Sequence, residues 1–177
     1  MHVLTGAPGT GKTTLLRRLG DDFVTVDEPA RQVLAELRAN TGTADSEIDP
    51  ATFVGLLLER SIDNYTAHAG GDQVVFDRGI PDCVAYAWHL DLDASDSLAA
   101  ARRYRHTGSV LMLTPWEEIY TTDEERTMGF DLVEKFHGHL VAAYHTAGYD
   151  IVEVPIDTID ARVAFVLDTI DNPGGSR

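Results

Sequence analysis

The chain has 177 residues, 44% of them hydrophobic and 24% charged, with 29 acidic side chains against 14 lysines and arginines and a formal charge of −15. That length suits one domain with a buried core, and that charge argues against nucleic acid and anionic membranes, which both recruit proteins through basic side chains. A single cysteine, Cys83, allows no internal disulfide, no apolar run reaches membrane-spanning length, and Gly6 interrupts the start before a signal-like stretch develops, so a cytoplasmic setting is expected.

Residues 2–5 are a short apolar run stopped by glycine and read as a buried strand, with 12–19 as the helix behind it. Phe23 to Val26 reads as a second strand, and a helix follows from Pro29, where proline suits a first turn. Asp49-Pro50 signals the start of a helix over 50–69, and Gln73 to Phe76 gives a third strand ending at Asp77. A helix follows Pro81 and another covers Ser95 to Tyr104; Val110 to Leu113 is a fourth strand, and 116–147 reads as mostly helical. Asp150 to Val154 supplies the fifth strand and 158–171 the last helix, which leaves 172–177 as a frayed tail. Short apolar strands alternating with helices predict an α/β fold over 1–171, with a parallel sheet covered on both faces, because parallel strands need crossovers.

Gly6-Ala7-Pro8-Gly9-Thr10-Gly11-Lys12-Thr13 fits the pattern GxxxxGK[ST] between a strand and a helix, the context that gives the pattern meaning. Glycines let backbone N–H groups wrap a triphosphate, and the helix N-terminus adds positive potential. Lys12 is expected to reach the β- and γ-phosphates, Thr13 to ligate Mg²⁺ and Thr14 to touch the α-phosphate. ATP or GTP with Mg²⁺ is therefore the expected ligand. Lysine occurs only at Lys12 and Lys135, in a chain that otherwise uses arginine, and a compact ammonium suits this position better than a planar guanidinium.

Ligands of open parallel sheets sit beyond the carboxyl ends of the strands. The third strand delivers Asp77, suited to hold Mg²⁺ through water, and then Arg78, which either clamps substrate or forms a structural pair with Asp77 or Asp82. The second strand delivers Asp27, Glu28 and Arg31. Glu28 is the preferred general base for an attacking hydroxyl, with Asp27 second and Arg31 steadying substrate.

The segments GAPGTGKTT, DEPAR, FDRGIPD, PWEEIYTTDEER and GYDIVEVP together resemble a group of small bacterial P-loop ATPases of an AAA-type domain family, over nearly the whole chain. That group is itself similar to nicotinamide riboside kinases and, more distantly, to deoxynucleoside kinases. The resemblance implies the three-layer P-loop NTPase fold with strand order 2-3-1-4-5 and a helical lid after the fourth strand. It also implies a catalytic base at Glu28-Pro29 and a metal- and substrate-binding pair at Asp77-Arg78. The chain departs from deoxynucleoside kinases at Gly79, where they carry serine, and its lid region holds few arginines. Within 116–129, Arg126 is the candidate to close over the phosphates.

The expected activity is transfer of the γ-phosphate of ATP to a hydroxyl of a small metabolite, with a nucleoside-like acceptor favoured. The alternative is a nucleotide-dependent switch or slow ATPase acting with a protein partner or a second copy of the chain. Hydrolytic AAA-type motors place glutamate after the Asp77 position, where this chain has Arg78. Tyr86, Trp88 and Tyr120 read as core before stacking platforms, His137 and His139 lack neighbours for a metal site, and the run Arg102, Arg103 and Arg105 reads as a solvated face.

Overall fold

The computed structural model describes residues 1–42, 44–71, 73–120 and 129–172. In chain order the elements are β1 His2–Gly6, α1 Lys12–Leu19, β2 Val24–Val26, α2 Pro29–Thr41, α3 Pro50–Ala67, β3 Val74–Asp77, α4 Ile80–His89, α5 Ser95–Arg103, β4 Val110–Leu113, α6 Phe130–Thr146, β5 Ile151–Val154 and α7 Ile159–Asp171. Short 3₁₀ turns lie at Asp45–Glu47 and Glu117–Ile119. All strand pairs are parallel, and the five-stranded sheet has the order β2-β3-β1-β4-β5.

Every residue of β1, β3 and β4 is buried, the signature of central parallel strands covered on both faces. Alternation along them divides the core. Val3, Val110 and Met112 face α4, α5 and α6, where Val84, Phe136, Leu140 and Tyr144 pack. Leu4, Val75, Leu111 and Leu113 face α1 and α7, where Leu15, Leu19 and Val166 pack. A one-residue register slip would exchange the two sets. The pairing Leu4↔Asp77 places the end of β3 beside the end of β1. There the chain leaves β1 toward β2 and β3 on one side, while β4 and β5 lie on the other, so the phosphate loop sits at the switch point of the sheet.

Helix starts follow local chemistry. Asp49 caps α3 by accepting from the Thr52 N–H at 2.9 Å, and Pro29, Pro50 and Pro81 occupy first turns. α1 differs: it begins at Gly11 in the left-handed region (φ 82°), with no side-chain cap and no acidic residue in its first turn. Its first N–H groups are thus left without a local acceptor.

The predicted boundaries hold within a residue or two, with three informative differences. Asp77 belongs to β3 and pairs in register, whereas it was expected just past the strand. α4 starts at Ile80, before Pro81, because Gly79 is held by the Asp82 side chain. Within 116–147 the described residues show a 3₁₀ turn and then a helix only from Phe130. Of the expected tail, 173–177 lie outside the described residues. No helix among the described residues is long and apolar enough to cross a membrane.

The α4–α6 layer is the scaffold behind the site, and Leu140 is fully buried in it. Leu140→Ala is expected to cost about 2–5 kcal/mol in urea unfolding; a loss under about 1 kcal/mol would contradict this packing.

Candidate functional site

The loop from Gly6 to Thr14 is a tight wrap in which Gly6, Gly9 and Gly11 have φ of 153°, 81° and 82°. Side chains are excluded as well as disfavoured: a Cβ on Gly6 would lie 2.6 Å from the Leu113 carbonyl oxygen, and one on Gly9 2.4 Å from the Tyr120 ring. The Thr10 hydroxyl donates to the Ala7 carbonyl at 3.0 Å and braces the loop from within. Ala7 and Thr10 are buried, Pro8, Gly9 and Gly11 are half-buried, and Thr13 and Thr14 open to solvent, as residues awaiting a ligand would.

Lys12 reaches across to Asp77, with Nζ 3.3 Å from Oδ1, and both are buried. That oxygen has no hydrogen bond besides this ion pair. Burial pulls the Lys12 pKa down, helped by the Arg78 charge, and pushes the Asp77 pKa up, with Lys12 opposing and Glu28 adding. Both shifts run against the charged forms, so the pair is desolvated without enough compensating dipoles. A buried carboxylate oxygen left in this state, with the exposed Thr13 hydroxyl at the head of α1, is the kind of donor set that suits Mg²⁺, which takes few protein ligands and keeps water and phosphate in its shell.

Beside this pair lies a second, tighter network. Arg78 has a positive φ of 76°, a conformation that costs energy for any residue but glycine. Its Nε donates to Glu28 Oε1 at 2.6 Å and its Nη1 to Asp82 Oδ1 at 2.9 Å, and its backbone N–H donates to the Leu4 carbonyl. Asp82 also accepts from the Thr5 hydroxyl at 2.8 Å, the Gly79 N–H at 3.0 Å and the Tyr144 hydroxyl at 2.6 Å. Burial works against the Arg78 charge, but Tyr86, Glu28, Asp82 and Asp77 outweigh it and hold its pKa well above the ordinary value. Arg31, more than half exposed, donates to the other Glu28 oxygen at 3.0 Å. Burial pushes the Glu28 carboxyl up, yet Arg78 and Lys12 overcome it and the pKa falls to about 2.

Of the predicted residues, Lys12, Asp77, Glu28, Arg78 and Arg31 therefore meet in one contiguous set. Of the readings open for Arg78, the geometry favours the structural pair, with Asp82 and Glu28 and not with Asp77. Asp27 lies at the rim, exposed. Arg126 falls at 121–128, outside the described residues. The sequence offered Asp82 only as one possible partner of Arg78, and it did not single out Arg162. Asp82 looks like an ordinary first-turn acid of α4, and only long-range contacts reveal it as the hub. Arg162, on α7, donates from Nη2 to the Thr10 carbonyl of the phosphate loop at 3.0 Å.

The remaining expectations resolve simply. Tyr86 packs against Phe53 and Phe136, with the Arg78 guanidinium 5.9 Å from its ring centre. The Tyr120 ring occupies the space a side chain on Gly9 would need and edges against Phe130. Arg105 bonds the Ala147 and Gly148 carbonyls, so this member of the basic run is structural. Cys83 is buried with its thiol pushed up to about 12. A narrow crevice, too tight to admit water, runs between Asp27, Ser61, Asn64, Asp77 and Gly79. A larger hollow of about 210 Å³ between α2 and α3, lined by Val33, Glu36, Leu56 and Arg60, contains none of the predicted residues.

A family model described as an AAA domain matches residues 1–162. The chain belongs to this AAA domain family. Its fold is shared by thymidylate kinase from Candida albicans, at a TM-score of 0.70 and 15% identity, covering 97% of this chain and 91% of that one. It is also shared by NadR protein in complex with NR, at a TM-score of 0.71 and 21% identity over 99% of this chain. A NadR complex with NAD and AMP-PNP superposes at a TM-score of 0.65 and 20% identity. The chain spans about half the length of the two NadR chains, 52% and 49%. No curated protein matches the sequence. The family and strand order implied by the sequence resemblance are thus confirmed, and the fold is the one shared with these neighbours.

The depressed Glu28 pKa has a signed consequence. A carboxylate lowered from 4.5 to about 2 stabilises the fold above pH 4.5, and the contribution is lost as pH falls toward 2. The raised Asp77 pKa acts in the opposite sense, favouring the fold as Asp77 protonates. The stability gap between the protein and Glu28→Gln is expected to be about 3 kcal/mol at pH 7 and to close through that acid window. A gap independent of pH, measured by urea unfolding, would contradict the ion-pair origin of the shift.

Proposed function

We propose that the chain is a P-loop phosphotransferase that binds ATP, or GTP, with Mg²⁺ and moves the γ-phosphate to a hydroxyl of a small, nucleoside-like metabolite. The observation that carries this reading is the convergence of Lys12, Asp77 and Glu28 at the carboxyl ends of β1, β2 and β3, beside a glycine wrap and an uncapped helix N-terminus. The kinase fold of the neighbours supports it, as does the AMP-PNP named with one of them.

In this reading the backbone N–H groups of Gly9 to Thr14 hold the phosphates and Lys12 leaves Asp77 for the β- and γ-oxygens. Thr13 and Asp77 would hold Mg²⁺, which supplies charge neutralisation on the β- and γ-phosphates. The acceptor oxygen forms a bond to the γ-phosphorus, the bond from that phosphorus to the bridging β-oxygen breaks, and the hydroxyl proton passes to Glu28. A carboxylate with a pKa near 2 is a weak base, which suits a loose transition state in which the nucleophile loses its proton late. Glu28 then serves chiefly to aim the hydroxyl, and Arg78 serves to aim Glu28. The crevice beside them is smaller than a usual ligand pocket. Arg31 and Asp27 at the rim meet the acceptor's polar groups.

The family description favours one further reading, a nucleotide-dependent switch or slow ATPase acting with a partner. Arg78 stands against it, since it occupies the position from which a hydrolytic glutamate would orient water and is instead tied to Glu28 and Asp82.

The deciding experiment offers Mg²⁺ and γ-labelled ATP with pooled nucleosides, vitamins and sugars. Label in a phosphorylated metabolite is the expected result; label released only as free phosphate would replace the kinase with the switch. With the acceptor in hand, Glu28→Gln should lower kcat by about 10²–10⁴ with ATP affinity unchanged, and Lys12→Ala should abolish tight ATP binding. Full transfer by Glu28→Gln would place the base elsewhere.

A further inference from the structure

Arg162 has a strange position for a cation. It is 5% exposed and lies in the first turns of α7, where the helix dipole disfavours positive charge. It forms no ion pair with any carboxylate among the described residues, and burial alone pulls its pKa below the ordinary value. Its Nε is buried without a partner. The other buried arginine of the site, Arg78, shares two carboxylates, whereas Arg162 has one backbone carbonyl. A buried charge left this poorly compensated destabilises the unliganded protein.

What the guanidinium touches is informative. Nη2 donates to the Thr10 carbonyl at 3.0 Å, and Nη1 stands 3.0 Å from where a Gly11 side chain would begin. In a planar trans peptide the carbonyl of one residue and the N–H of the next point in opposite directions. Fixing the Thr10 carbonyl outward onto Arg162 therefore turns the Gly11 N–H away from α7, toward the hollow of the loop. Glycine suits position 11, because its φ of 82° strains any other residue and a Cβ would lie 3.0 Å from the guanidinium.

We infer that Arg162 is a positioning residue for the triphosphate: it clamps the outer wall of the phosphate loop so that the Gly11 N–H faces the phosphates, and its uncompensated charge is neutralised when they bind. This rests on the phosphate-loop reading of the proposed function and assigns part of the binding site to the last helix, 152 residues away in sequence. The inference makes two effects of one residue opposite in sign. Removing the charge relieves the empty protein and weakens the complex.

The test compares the protein with Arg162→Met and Arg162→Lys, using ATP with Mg²⁺ and inorganic tripolyphosphate with Mg²⁺ as probes. Calorimetry gives affinity, and thermal unfolding is followed with and without probe. Arg162→Met is expected to unfold at or above the melting temperature of the unaltered protein when empty. It should bind both probes about 10–100-fold more weakly, the weight of one charge-assisted hydrogen bond, and so show a smaller probe-induced rise in melting temperature. Arg162→Lys, which keeps a charge and one donor, should recover part of the affinity, and it carries the test alone if the methionine variant does not fold. A merely structural Arg162 would lower the empty protein's melting temperature and leave affinity unchanged, which overturns the inference while the phosphate-loop reading survives. An unaltered protein that binds neither probe overturns both.

Discussion

The site depends on burying one guanidinium. Arg78 follows the last residue of β3 in a left-handed backbone conformation and is almost completely removed from water. Neither condition is sustainable alone: the strain is of order 1–3 kcal/mol, and an unpaired buried charge costs more. Glu28 and Asp82 supply the compensation from the end of β2 and the start of α4, and Asp82 is in turn saturated by Thr5, Gly79 and Tyr144. One charge thereby ties β1, β2, β3, α4 and α6 together at the carboxyl edge of the sheet. Breaking any partner leaves a charge stranded, so the geometry around Glu28 is determined by the core and not by a mobile loop.

This arrangement divides two buried cation–carboxylate sets by how well each is satisfied. The Arg78 set is saturated and therefore rigid. The Lys12–Asp77 pair is a single 3.3 Å contact whose members are both shifted against their charged forms, and it is ready to exchange partners. Chemistry that brings a polyanion and a divalent cation needs such a contrast: a fixed frame to aim an acceptor, and a pair that gives way. The exposed Thr13 and Thr14 and the uncapped head of α1 belong with the second set.

How much of this was legible in the sequence follows from the range of the interactions. β1, β3 and β4 were visible because short apolar runs bounded by glycine, aspartate or proline have few other readings, and the phosphate loop because its function lies in local backbone geometry. Glu28 and Asp77 were legible as carboxylates at strand ends. The resemblance supplied the strand order, which apolar runs alone do not contain. Asp82 was legible only as one possible partner of Arg78, because its contacts with Thr5 and Tyr144 join residues 77 and 62 positions apart, and Arg78 reads as a substrate clamp or a structural pair until its partners are located. Arg162 left one trace in the sequence, a cation in the opening turns of the last helix.

The account is most directly tested by the crystal structure of the protein with Mg²⁺ and a non-hydrolysable ATP analogue. It predicts that Lys12 leaves Asp77 for the β- and γ-phosphates and that Asp77 turns to the metal's water shell. The hydrogen bonds of Arg78 to Glu28 and Asp82 should remain as they are. An analogue bound away from the Gly6–Thr14 loop, or bound there while Lys12 stays on Asp77 and the Arg78 network breaks, would contradict the division between a rigid frame and an exchangeable pair.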